Sequence, residues 1–133
     1  MGMLAGVLVT LGFFSMTKGL DPDEIEHVHT TWMILQGKEI YVDFFQHHHP
    51  FFSYMMTPFV SIYGASVETI IVGRCVVLAF VLAILWVTWL IAMRIFGRRE
   101  IAITSVILTA TIGSFYMKAV EIRPDVPQTL AGL

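Results

Sequence analysis

The sequence predicts an all-α integral membrane protein with about three transmembrane helices, and amphipathic helices lying beside the membrane in the first external loop. Three observations predict it. Of 133 residues, 56% are hydrophobic and only 14% are charged, and the mean hydropathy is +0.76, which is more apolar surface than a soluble domain of this size can bury. The apolar residues come in long runs, whereas eight of the ten acidic residues fall in two polar stretches, 18–46 and 118–128. The basic residues Arg94, Arg98 and Arg99 crowd the short connection between two apolar runs.

The first expected span covers residues 1–17. It is uncharged, and Gly2 and Gly6 are spaced for close helix contact. No basic residue precedes the run and no small-x-small cleavage site follows it before Lys18, so it reads as an uncleaved anchor. The second span, 72–95, contains nineteen consecutive uncharged residues at 75–93. At ~1.5 Å rise per residue these nearly match the ~30 Å hydrocarbon thickness. The third, 101–117, carries Thr104, Ser105, Thr109, Thr111 and Ser114, whose hydroxyls can return hydrogen bonds to helix backbone. The cluster of arginines at 94–99 makes that connection cytoplasmic. External loops 18–66 and 118–128 then share the opposite face, periplasmic or extracellular at a bacterial inner membrane.

Within the first loop, Asp21 is suited to be an N-cap, Pro22 to the first helical position, and Glu24 to the third position of a capping box. A helix is expected from there to about Gly37. Ile25, Val28, Trp32 and Leu35 give it an apolar stripe for the membrane surface, with Asp23, His27, Thr30 and Thr31 on the other side. Asp21, Asp23 and Glu24 can all serve the helix dipole, but capping needs only one of them. Asp23 or Glu24 is therefore free to project into a cavity and act as a general base. His27 suits either a surface position or a partner to Asp23.

Residues 38–46 mix aromatic and β-branched residues with Asp43, a pattern for an extended connection. His47, His48 and His49 follow, and Pro50 biases His49 toward extended backbone. No second His or Cys cluster in the chain offers further zinc ligands, so these histidines are expected to bind an anionic group rather than a structural metal. Residues 51–63 are too short to span and contain Pro58, which suits an interfacial or re-entrant helix. Arg74, just inside the second span, can snorkel to the interface or bind phosphate. Glu121, Arg123 and Asp125 follow the third span, and Arg123 is a planar donor for phosphate or carboxylate.

The net charge of −2 implies no electrostatic partner, and the absence of a basic patch excludes nucleic acid. The single cysteine, Cys75, forms no intrachain disulfide, and the lack of asparagine excludes an N-glycosylation sequon.

Asp23-Glu24 after the first span, Gly37-x-x-x-Tyr41-x-Asp43-Phe44 followed by the histidines and Pro50, and Glu121-x-Arg123-Pro124-Asp125 after the third span form an ordered set. This set resembles the start of a GT-C glycosyltransferase, similar to the dolichyl-phosphate-mannose protein mannosyltransferases and the bacterial aminoarabinose transferases. The resemblance implies transfer of one sugar, with inversion, from a polyprenyl-phosphate donor held in membrane lipid to an acceptor on the non-cytoplasmic face. It matches Asp23 to the family's general base, Glu24 to its neighbour, and Glu121 and Asp125 to the acidic motif of the second external loop. Arg123 and His47 to His49 fall to the phosphate side, although the histidine triplet departs from the usual His-Pro-Pro. Some members of the superfamily use a divalent metal, a requirement this sequence leaves open. Members have roughly a dozen spans, so residues 1–133 are expected to be an amino-terminal piece without turnover of its own. Two rival classes stay open: a small metal-binding or transport subunit using His47 to His49, and a structural subunit packing through small residues.

Overall fold

The computed structural model describes residues 2–133, the side chains of Met3, Leu4 and Ser114 excepted; Met1, in the first expected span, lies outside the described residues. All the regular elements described are helices: α1 (Gly2–Thr17), α2 (Pro22–Leu35), α3 (Pro50–Tyr63), α4 (Val67–Phe96), α5 (Arg99–Thr111), α6 (Gly113–Lys118) and α7 (Asp125–Gly132). Among the described residues, only α4 is long and apolar enough to cross a membrane.

α4 starts where Ser66 Oγ accepts from the Thr69 N–H, and it stops at Gly97, whose left-handed φ of 63° suits a residue without a Cβ. Its 30 residues extend ~45 Å. Only 28% of its most apolar stretch is buried, so most of that surface faces outward. α1 has 16 residues, short of the ~20 that a perpendicular span needs. Gly2 and Gly6, expected at a helix contact, lie instead on an open face where an added Cβ would meet nothing within 4 Å.

The 101–117 segment is not one helix. α5 ends at Thr111, Ile112 leaves helical backbone with ψ 122°, and α6 restarts at Gly113. Glycine at the restart has the weakest helix propensity after proline, and it lowers the cost of the break.

α4 is the axis on which the rest packs. α1, α5 and α7 lie along it and share a core of Leu11, Val77, Val81, Val106, Ala110 and Val126. At its N-terminal end α2 and α3 pair with each other and close a second core of Val28, Phe52, Met56, Val60, Ile70 and Ile122. Gly73 lies where α4 meets this second core: a Cβ there would come 2.5 Å from Ile122 Cδ1 and 3.0 Å from Met56 Cε.

α2 keeps its apolar and polar faces apart as expected, and its polar face meets protein. Glu24, His27, Thr30 and Thr31 are buried with Val28, whereas Ile25, Trp32 and Leu35 are 51%, 38% and 41% exposed. The helix turns its polar face toward the protein and, Val28 excepted, its apolar stripe outward. Residues 38–46 depart from expectation, since they turn rather than extend. The Tyr41 N–H donates to the Phe44 carbonyl at 2.8 Å, Asp43 Oδ2 accepts from the Glu39 N–H at 2.9 Å, and Tyr41 takes a φ of 69°.

Candidate functional site

The N-terminal end of α2 forms as its sequence predicts. Asp21 Oδ1 accepts from the Asp23 N–H at 3.0 Å, and Glu24 Oε2 accepts from the Asp21 N–H at 3.1 Å. Glu24 does far more than cap, however. Arg74 donates from Nε to Glu24 Oε1 at 2.8 Å and from Nη2 to Oε2 at 2.6 Å, and the Ile122 N–H donates to Oε1 at 3.0 Å. The four lone-pair sites of a carboxylate are thereby filled.

Arg74 is equally committed. Its remaining donors reach the carbonyls of Ser15 (3.0 Å), Lys18 (2.8 Å) and Gly19 (2.9 Å), so the five N–H groups of the guanidinium are all used. Ser15 and its followers end α1, where carbonyls have no intrahelical partner. The pair is buried, with side chains 4% and 0% exposed. One ion pair thus ties the end of α1, the start of α2, α4 and the 121–125 loop at a single point. Arg74 neither snorkels nor faces a cleft.

Asp23, one residue earlier, faces a different environment. Its side chain is 40% exposed and its Oδ2 accepts from Arg123 Nη1. Arg123 also donates from Nε to Asp125 Oδ2 at 2.9 Å and lies at 3.5 Å from Glu121 Oε2. Burial works against the Arg123 charge, but Asp125, Asp23 and Glu121 outweigh it and hold its pKa above the ordinary guanidinium value. Glu121 is buried and receives Lys18 and, at 3.1 Å, Lys118. The two polar stretches, a hundred residues apart for the Asp23–Arg123 pair, are therefore in direct contact.

The histidine run is held from both sides. Tyr41 Oη donates to the His48 carbonyl at 2.9 Å, and Gln46 accepts from the His48 N–H at 3.1 Å while donating to Thr30 Oγ1 on α2 at 2.7 Å. Tyr41 and Asp43 of the sequence motif thus act as turn builders that set the histidine backbone. His49 caps α3 in extended backbone (φ −63°, ψ 136°), as Pro50 dictates. His47, His48 and His49 line a cleft of about 630 Å³ together with Phe51, Pro124 and Asp125, within the size range of small-molecule sites. A second groove of about 340 Å³ runs between α1, α4 and α5. Its lining of Leu8, Leu85, Trp86 and Trp89 offers no convergent polar set.

Two further residues belong to this region, and the first, His27, takes neither the surface position nor the pairing with Asp23 that its sequence suggested. His27 is 1% exposed, stands with its ring centroid 4.8 Å from that of His48 and 5.3 Å from that of Phe52, and has no hydrogen-bond partner on either nitrogen. Burial pushes its pKa down to about 4, and His48 adds to the shift. The second, Glu26, carries no local sequence signal that distinguishes it from a solvated surface acid. It lies 3.3 Å from His47 Nδ1.

Chemically, the arrangement pairs a partly open carboxylate with a guanidinium at the margin of an aromatic- and histidine-lined cleft. Comparison with known families, curated proteins and solved structures gives no match for this chain, so these residues alone carry the functional reading.

Proposed function

We propose that this chain forms the donor-side part of a membrane glycosyltransferase of GT-C type, which moves a sugar from a polyprenyl-phosphate carrier to an acceptor on the non-cytoplasmic face. The observation that carries the reading is the junction of Asp23 with Arg123 and Asp125, beside a cleft lined by His47 to His49. A transfer of this kind needs a carboxylate to take the acceptor hydroxyl proton, and cationic donors for the charge that gathers on the departing phosphate. Asp23 is the base. The acceptor oxygen bonds to the anomeric carbon as the bond from that carbon to the phosphate oxygen breaks, and the phosphate leaves with the electron pair.

Arg123 and His47 to His49 receive that phosphate. The incoming anion competes with Asp23 and Asp125 for one guanidinium, so donor binding frees the Asp23 carboxylate for the acceptor. Glu24 has no lone pair left for a proton and is a positioning residue, which fixes Asp23 through the helix start. Glu121 neutralises Lys18 and Lys118 beneath the site.

In this reading α4 crosses the bilayer and α1 and the broken α5–α6 unit cross beside it. The outward exposure of Val9 (72%), Phe13 (68%), Trp86 (61%) and Leu108 (61%) supports lipid contact along that bundle. The exposed apolar stripe of α2 then rests on the membrane surface. Arg94, Arg98 and Arg99 face the cytoplasm of a bacterium, and the site faces the periplasm or cell exterior.

The test is sugar transfer by membranes that express the natural coding sequence containing this chain. Asp23→Asn lowers transfer about 10²–10⁴-fold, the usual worth of a general base, at unchanged protein level. Transfer at the unmodified rate would remove Asp23 from the chemistry.

A further inference from the structure

α2 and the histidine run meet at a second cluster, separate from the Asp23–Arg123 pair. His47 Nδ1 lies 3.3 Å from Glu26 Oε1, and the ligand atoms of Glu26, His47 and His48 all lie within 4.8 Å of one another. Behind them stands His27, 1% exposed, its ring against His48 and both nitrogens without a partner. A polar ring buried without partners is costly, and a hydrogen bond to a fixed neighbour would offset that cost.

We propose that Glu26, His47 and His48 bind a divalent transition metal, zinc by the chemistry of the set. Two imidazoles and one carboxylate are a zinc donor set that leaves a fourth position open. Magnesium and calcium take oxygen ligands throughout and suit this set poorly. Bonds of about 2.0–2.1 Å in tetrahedral geometry put ligand atoms roughly 3.3 Å apart. Glu26 and His47 already stand at that separation, and the widest spacing has to close by roughly 1.5 Å. The side chains of Glu26 and His47 are 40% and 57% exposed, so an ion can enter. A metal-bound histidine directs its other N–H to an acceptor that fixes the ring, and an unpartnered nitrogen of His27 supplies one for His48. His49 caps α3 and lies outside the donor set.

This site shares His47 and His48 with the phosphate side of the transferase reading, but it needs no sugar substrate to be tested, so either can fail without the other. The full chain, purified in detergent and stripped with a chelator, is titrated calorimetrically with zinc chloride, and cobalt(II) absorption reports the geometry. The result expected is one zinc per chain, with the visible bands of tetrahedral cobalt. Glu26→Gln and the double variant His47→Ala/His48→Ala each weaken binding beyond the ~10–100-fold that a change behind the ligands costs, while His49→Ala leaves it unchanged. Saturable zinc binding absent from the unmodified chain overturns the proposal without recourse to any variant. So does full affinity in both ligand variants, or a loss in His49→Ala as large as theirs. Melting temperatures of the variants near that of the unmodified chain establish that a loss of binding is not a loss of fold.

Discussion

Asp23 and Glu24 are neighbours on the same first turn of α2, yet they belong to two different electrostatic regions. Around Glu24 the hydrogen bonding is closed: four acceptor sites and the five donors of Arg74 are matched among the described residues, and the pair is out of water. Around Asp23 the bonding is open, because Asp23 and Asp125, 40% and 55% exposed, share the single guanidinium of Arg123. A closed set can hold elements together but has nothing left to offer a substrate. An open set exchanges partners at small cost, as proton transfer or phosphate binding requires. Charge changes in the first region should therefore read out as folding, and changes in the second as chemistry.

The largest effect on stability belongs to the closed region. Glu24→Gln leaves the Arg74 charge buried without its counter-ion, and breaking a buried pair by removing one partner costs about 3–5 kcal/mol. Arg74→Met strands the carboxylate and the α1 carbonyls and costs a similar amount. The double variant is less destabilised than the two losses added together, because the coupling between contacting residues is already spent in either single change. Denaturation in detergent, followed by helical circular dichroism, measures all three. An unchanged transition for Glu24→Gln would erase the distinction between the two regions.

Asp23→Asn sharpens the distinction from the other side. Its ion pair with Arg123 is part-exposed, and such pairs are worth below about 1 kcal/mol. The same denaturation assay should place this variant within that margin of the unmodified chain, while sugar transfer falls as proposed above. A loss of stability equal to that of Glu24→Gln would mean that Asp23 belongs to the scaffold.

Local order was legible in the sequence and long-range pairing was not. The start of α2 could be read because Asp21, Pro22 and Glu24 act within four residues, and His49 because Pro50 restricts the residue before it. The length and composition of α4 marked it as an element long enough to cross a membrane. The Arg74–Glu24 clamp could not be read, since its partners are fifty residues apart and only the packing of α4 against α2 joins them. Periodicity separated the two faces of α2, but it could not show that the polar face is buried against protein or that Val28 turns inward with it, because the 3.6-residue repeat says nothing about what each face meets. In a molecule with so much outward apolar surface, the polar face is the one drawn inside. The break at Ile112 was missed for a similar reason, as composition describes the whole apolar run and not its backbone. Of the candidate site, the acids and histidines were visible as types, but Glu26 and His27 gain meaning only from the turn that carries Tyr41 and Gln46 back over α2.

Gly73 offers a smaller test of how tightly the two regions are joined. The loop that carries Arg123 begins at Glu121 and Ile122, and Ile122 fills the space that a Cβ at Gly73 would need. Gly73→Ala forces the ends of Ile122 and Met56 to shift inside a core where both are at most 1% exposed. Overpacking of this kind costs about 1–3 kcal/mol, and the lower half of that range is expected because the nearest atoms are the tips of side chains. The displaced loop also loosens the Ile122 N–H bond to Glu24. Gly73→Ala should therefore cost measurably less in a Glu24→Gln background than in the unmodified chain, and equal costs in the two backgrounds would show that α4 and the loop are energetically independent.

His27 is where the two regions adjoin, and it yields the smallest effect and the one with opposite sign. It lies on the buried face of α2 like Glu24, but its nitrogens are unmatched, so it lacks the compensation that makes Glu24 stable there. Replacing a buried, unsatisfied polar group by an apolar one of similar volume is neutral or stabilising. His27→Leu should therefore raise stability by about 1 kcal/mol, near the low end of the cost of burying such a group, when measured in chelator so that no metal contributes. The same substitution removes the acceptor behind His48 and should weaken zinc binding about tenfold. Stability gained and affinity lost by one change would identify His27 as a residue held for its neighbour's sake. A variant that melts lower than the unmodified chain would instead mean that the imidazole packs, or hydrogen-bonds through water, well enough to belong with the closed set.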